Sequence, residues 1–217
     1  MFKHSEASAN IIRFAQEGRL IQRAWHTEKG GRKMACLLGS IHPSVTSEAE
    51  CNGDLMPMWL AQLTPRLFDS IPADKVTEIG LRYGSLVARW HVLTPDQWEA
   101  VKTAFLVRTV DAALSSAREV SSGEACWAQV EAACEQVKAA LISGKGLKAA
   151  RAAAEAARAA AEAAAEAAYG TAAEAAYGTA AEVAAEVAAK VAAGAAASYS
   201  LFTYLLDSVE AECNKHS

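Results

Sequence analysis

Thirty of the 49 residues between Ala149 and Ala197 are alanine, and this tract constrains the fold more than any other feature of the chain. Alanine has the highest intrinsic helix propensity, yet its methyl group removes little apolar area from water. Such a tract favours helix without supplying a core. It also repeats: Ala164–Thr171 and Ala172–Thr179 both read AAEAAYGT. Beneath that period of eight runs a period of four, through Glu162, Glu166, Gly170, Glu174, Gly178, Glu182, Glu186, Lys190 and Gly194. Four residues turn an α-helix through about 400°, so the stripe drifts about 40° per step and about 320° over its length. One straight helix cannot keep these residues on one face. Either the tract is a long helix with methyl groups all round, or it breaks at its glycines. Thr171-Ala-Ala-Glu174 and Thr179-Ala-Ala-Glu182 each match a capping box behind a glycine, which would serve the break. Helix propensity favours the long helix, starting near Lys148 and bent near Gly170–Gly178. Tyr169 and Tyr177 are the tract's only large apolar side chains before Val183, and their spacing sets them within about 80° of each other. They are the candidate residues for docking the tract.

The tract also changes the meaning of the bulk composition. Hydrophobic residues make up 52% of the 217, but 51 of them are alanine. Without alanine, roughly 29% are large and apolar, nearly all before Leu147 or after Ser198. Residues 1–148 carry 17 basic and 16 acidic groups, whereas 149–197 sum to −3 and 198–217 to −2. A binder driven by phosphate neutralisation would show a concentrated basic stripe along the sequence, so composition argues against nucleic acid. Five cysteines, odd in number and without a CxxC pair, read as reduced thiols, and the residues after Met1 form no apolar signal-type run. The longest uncharged stretch, Val191–Leu206, has 16 residues, short of the about 20 a membrane span needs. The expectation is a cytoplasmic chain with no membrane segment.

Before the tract the punctuation is mostly helical. Ile11, Ile12, Phe14 and Ala15 read as a first helix stopped near Gly18. Leu20–His26 and Met34–Ile41 flank Glu28-Lys29-Gly30-Gly31 as a hairpin would, although Ala35–Leu38 would equally suit a buried helix. Ser40–Asn52 reads as a polar loop. Pro57 opens a helix through Trp59, Leu60 and Leu63, and Thr64-Pro65 is expected to cap and restart it. Asp74 is placed to cap a helix through Val76, Ile79, Tyr83, Leu86 and Val87. Thr94-Pro95-Asp96-Gln97 is a capping box before Trp98, Val101 and Phe105, and Trp127, Val130, Cys134, Val137 and Leu141 follow at spacings of three and four. Ser143-Gly144-Lys145-Gly146 ends that helix. Tyr199, Phe202, Leu205, Leu206 and Val209 make a final amphipathic helix that folds back. The expected architecture is a mainly α domain (1–147) with a small N-terminal β-hairpin, an alanine-rich helical arm (148–197) and a C-terminal helix (198–217).

Chemistry-bearing residues are sparse. Cys36, His42 and Cys51 could form a thiolate–imidazolium pair or part of a zinc site. Their Cys-x5-His-x8-Cys spacing matches no common zinc pattern, and Cys36 lies in an apolar run where an inert buried thiol is the usual outcome. Gly144-Lys145-Gly146 is too short a match for a phosphate loop. The five tryptophans fall at apolar positions and read as core, while Trp90-His91 before a helix could line an interaction groove. No cofactor, metal or catalytic set is read from the sequence, and nothing in it argues for an enzyme.

From Gly31 to Trp98 the chain resembles a family of uncharacterised small proteins encoded by phages, prophages and bacterial genomes, many with an alanine-rich C-terminal region. The resemblance rests on Gly31-Arg32-x3-Cys36-Leu37-Leu38, Gly53-Asp54-Leu55-Met56-Pro57-x-Trp59-Leu60-Ala61-x-Leu63-Thr64-Pro65 and Arg89-Trp90-His91-Val92-Leu93-Thr94-x3-Trp98, about a third of the chain. It implies a mobile-element setting inside a bacterial host cell and carries no activity with it. The functional expectation is a non-enzymatic interaction protein that inhibits or modulates a host protein, such as an antiviral-defence component, by binding and occlusion. Two alternatives stay open: a small Cys/His-dependent hydrolase or thiol enzyme, and a structural homo-oligomer built on alanine-face packing.

Overall fold

The computed structural model describes residues 3–51, 55–120, 127–145 and 195–215. Among them the protein is mostly helical: α1 (His4–Gln16), β1 (His26–Lys29), β2 (Arg32–Ala35), α2 (Met58–Phe68), α3 (Val76–Val87), α4 (Pro95–Val120), α5 (Trp127–Ser143) and α6 (Ala195–Asn214). The chain forms two compact units. The first comprises Met1–Lys102 with Gly194–Ser217, and the second is Thr103–Ala193. The first unit is therefore discontinuous, and α6 is one of its parts. Tyr169, Tyr177 and nearly all of the alanine tract lie outside the described residues.

α1 stops where its glycine dictates. Gly18 adopts φ +63, its N–H bonds Ala15 O, and Arg19 N–H reaches back to Phe14 O at 2.8 Å. This is a Schellman ending, in which a left-handed glycine satisfies the last carbonyls. The contact that accompanies such endings is supplied by the Arg19 guanidinium, 3.9 Å from the Phe14 ring centroid. The hairpin then turns through Gly30 and Gly31 at φ +58 and +73, the two positive-φ positions of a type I′ turn. Its strands are shorter and nearer the turn than the apolar runs predict. Residues 20–25 form no strand beyond an isolated bridge from Leu20 to Ala35, and Cys36–Ile41 coil into buried turns.

Two expected helix starts differ from what forms. α2 runs unbroken through Thr64-Pro65, with Pro65 inside the helix and lacking the N–H that would bond the carbonyl four residues back. Thr64 is no cap: its hydroxyl donates to Leu60 O at 2.8 Å, inside the helix. Asp74 does not cap α3 either, because residues 73–75 form a 3₁₀ turn leading into the helix, which starts without a side-chain cap. The Thr94 box forms as read, with Thr94 N–H on Gln97 Oε1 at 2.7 Å and Gln97 N–H on Thr94 Oγ1 at 3.4 Å.

The core of the first unit is organised by α3, whose seven buried residues (Val76, Ile79, Gly80, Tyr83, Gly84, Leu86, Val87) span an arc of about 160°. Gly80 and Gly84 form the approach to α1. A Cβ on Gly84 would lie 2.8 Å from Ile12 Cγ1 and 3.3 Å from Ile12 N, and one on Gly80 would strike Leu20 Cδ1 and stand 3.1 Å from Ala15 Cβ. The helices touch because α3 has no side chains there. On its other flank, fully buried Tyr83 stacks edge-on with Trp90 and Phe202, at 5.0 and 6.1 Å between centroids.

α6 completes this core. Ser198, Leu201, Phe202, Leu205, Leu206, Val209 and Cys213 are buried at helical spacing. Around them, Arg82 bridges Asp207 and Glu210 (2.9 Å to the latter), Arg89 donates to Asn214 Oδ1 at 2.7 Å, and Tyr199 donates to Glu78 at 2.5 Å. The terminal helix is thus as much a core element as α1. In the second unit, Lys138 on α5 pairs with Asp111 on α4 at 2.7 Å and with Glu135 at 2.6 Å. The α5 face read from spacing is half-buried; Ala133 and Ala140 are its most enclosed residues. No helix among the described residues is long and apolar enough to cross a membrane.

Close approach through Gly84 predicts a specific sensitivity. Gly84→Ala should gain helix propensity yet lose roughly 1–3 kcal/mol by forcing α1 outward, read as a lower urea midpoint. An unchanged or raised midpoint would show that the α1–α3 contact is looser than this geometry.

Candidate functional site

Cys36, His42 and Cys51, the most suggestive trio in the sequence, divide by environment. Cys36 and Cys51 are buried in the core of the first unit, 5% and 0% exposed. Cys36 Sγ accepts the Gly39 N–H at 3.3 Å. Burial, above all, pushes its thiol above the ordinary value. The Cys51 thiol is pushed up to about 12, by burial first and then by Cys36 and Glu50 nearby. A nucleophilic cysteine needs the reverse, a thiolate stabilised by a cation or helix N-terminus. His42, only partly buried, takes the Ser44 N–H on Nδ1 at 3.1 Å and bonds the Ser44 hydroxyl at 2.8 Å. No group of three His, Cys, Asp or Glu among the described residues is arranged to hold a metal.

Trp90 and His91 also part company. Trp90 is 2% exposed and belongs to the core, in T-shaped contact with Tyr83 and, at 5.6 Å, with Trp98. Trp59 meets the same Trp98 ring at 6.3 Å. The three indoles form one cluster, and the buried indole N–H groups of Trp59 and Trp90 find no acceptor among the described residues. His91 is exposed, its Nδ1–H donating to Ala88 O at 2.9 Å. Tyr83 is held among these rings. Its hydroxyl lies 3.2 Å from Thr64 Oγ1 and 3.7 Å from Met56 Sδ, and burial pushes its pKa far above the ordinary phenol value, so it stays protonated at neutral pH.

One contact had no signal in the sequence. His4, the first residue of α1, lies 5.7 Å from His91 between ring centroids. Its Nε2–H donates to Leu55 O at 3.2 Å. A carbonyl only accepts, so this bond fixes the His4 tautomer. Partial burial lowers the His4 pKa, and His91 adds to the lowering against the opposing effect of the Leu55 bond. The positive end of the α1 dipole acts in the same direction. The pair joins residues 87 positions apart, which local spacing cannot reveal.

No protein-family model matches the chain, and neither a curated protein nor a solved structure matches it. The geometry among the described residues is that of buried, packing thiols and an aromatic core.

Two measurements follow. Alkylation at pH 8 followed by peptide mass mapping should label Cys36 and Cys51 slowly in the native protein and readily in urea. Equal rates in both states would restore the reactive-thiol reading. For His4, a lowered folded-state pKa means the folded state binds protons less readily than the unfolded one. Its stabilising contribution is present above the unfolded value of about 6.5 and is lost as pH falls through the folded value. Wild-type Tm should therefore decline on acidification below about 6.5, and His4→Gln should flatten that decline. A parallel decline in the variant would exclude His4 as its source.

Proposed function

We propose that the chain is a non-enzymatic interaction protein of phage or mobile-element origin that binds a host protein and occludes it, an antiviral-defence component being the class of target. The observation that carries this reading is the insertion of one unit within the other. The chain leaves the first unit at Lys102 and re-enters it at Gly194, and α6 is then pinned to α3 by Arg82 and Tyr199 and to the turn after α3 by Arg89. A segment anchored at both ends loses less conformational freedom on binding than a free tail. The alanine-rich residues within it present small side chains that permit close backbone approach to a partner helix or groove. The mobile-element setting rests on the resemblance between Gly31 and Trp98. The elevated thiols at Cys36 and Cys51 weigh against the thiol-enzyme alternative.

The anchoring of α6 dictates the form of the test. Deleting everything after residue 147 would remove core residues Phe202, Leu205 and Val209 along with the tract. The informative variant keeps α6 and replaces residues 148–194 by a glycine/serine linker of equal length. Intact protein should capture a bacterial host protein that also binds when purified and loses its own activity on binding, and the linker variant should bind it at least about tenfold more weakly. Absence of a reproducible partner, or equal binding by the linker variant, would overturn the role given to the inserted segment.

A further inference from the structure

The charges of the first unit are segregated in a way its near-neutral total conceals. Residues 13–33 hold Arg13, Arg19, Arg23, Lys29, Arg32 and Lys33 against Glu17 and Glu28, a net of +4. Residues 34–102 sum to −3 and 194–217 to −2. In the fold, the basic run forms the end of α1, the loop after it and the exposed β1–β2 hairpin. Two of its arginines serve the scaffold. Arg32 donates to Glu17 O at the α1 C-terminus (2.6 Å), and Arg19 donates to Lys33 O (2.6 Å) and to Glu17 (2.7 Å) while stacking on Phe14. Together they fasten the hairpin to α1.

The remaining cations are left outward. Arg23, Lys29 and Lys33 are exposed and make no ion pair among the described residues, although Glu28 stands opposite Lys33 in the strand register. Lys29 stands directly opposite Arg32, a like-charge pairing that costs stability in a strand pair unless a counter-charge relieves it. Arg23 has φ +65, the only non-glycine residue at positive φ among those described. The loop is clamped there: Arg23 N–H donates to Asp69 Oδ1 at 2.7 Å, and Gln22 Nε2 donates to Phe68 O and Ile71 O at 2.6 and 2.8 Å. The fold thus spends local strain on a position whose side chain makes no ion pair among the described residues.

We infer that this basic lobe is a contact surface for a short acidic segment of a polypeptide partner, held by Arg23, Lys29 and Lys33. Nucleic acid fits it less well. The strands of the hairpin are four residues long, about 13 Å. A duplex carries a charge every ~1.7 Å and would extend past the lobe onto the acidic remainder of the unit. A segment of a few carboxylates matches both the extent and the charge of the lobe. The inference rests on the interaction reading above and names a partner chemistry for it.

The test uses the full-length protein and a fluorescein-labelled octaglutamate peptide, read by fluorescence anisotropy beside a labelled duplex of about 12 bp. The peptide should bind saturably, more tightly than the duplex, and more weakly as salt rises from about 50 to about 300 mM. R23Q/K29Q/K33Q, checked for wild-type circular dichroism and Tm, should raise the Kd roughly tenfold or more. K3Q/R66Q, which removes two exposed cations outside the lobe, should leave it within about twofold. No peptide binding, equal loss in both variants, or tighter binding of the duplex would overturn the inference. Capture of a host protein that survives R23Q/K29Q/K33Q but not the 148–194 linker replacement would remove this surface while leaving the interaction reading standing.

Discussion

Everything in the first unit depends on how closely α3 can be approached. Gly80 and Gly84 let α1 come near enough that a methyl group would collide, which seals Ile11 and Ala15 from water. The same buried arc carries Tyr83 against Thr64 of α2, Trp90 and Phe202 of α6. A small-residue flank and an aromatic flank on one 12-residue helix therefore set two distances at once. Neither flank relaxes independently of the other, because interiors are packed too densely for one neighbour to move without loss of contact.

What the sequence made readable was what is local. The Gly18 stop, the Thr94 capping box, the double-glycine turn and the apolar stripe of α6 are all decided within a few residues, and each forms. The misreadings share the opposite character. Thr64-Pro65 looks like a helix start, yet the helix already under way from Met58 absorbs it near its end. Asp74 has the right side chain for a cap, but a 3₁₀ turn occupies the entry to α3. The apolar runs beside the hairpin exceed its strands because residues such as Leu37, Leu38 and Ile41 bury themselves in turns rather than in a sheet. Gly80 and Gly84 are visible as letters, but their meaning requires knowing that Ile12 and Ala15 face them.

The candidate chemistry followed the same rule. Cys36, His42 and Cys51 were readable as residue types able to react or ligate, whereas burial and partners decide whether they do. The His4–His91 contact and the burial of the Trp59 and Trp90 indole N–H groups arise only from tertiary packing. Charge is the instructive middle case. A basic concentration over residues 13–33 is present in the sequence, but a total taken over residues 1–148 averages it away. The fold recovers it by bringing the end of α1, the loop after it and the exposed hairpin into one lobe with a net positive charge.

The discontinuity of the first unit has a consequence for how the chain is made and how it varies. Phe202, Leu205 and Val209 are separated from their partners on α2 and α3 by the 91 residues of the second unit. The first core cannot close until the last helix has emerged from the ribosome, so its nascent N-terminal portion must wait half-assembled. A substitution in α6 thus acts on the first core as directly as one in α3, although the whole of the second unit separates the two helices in sequence.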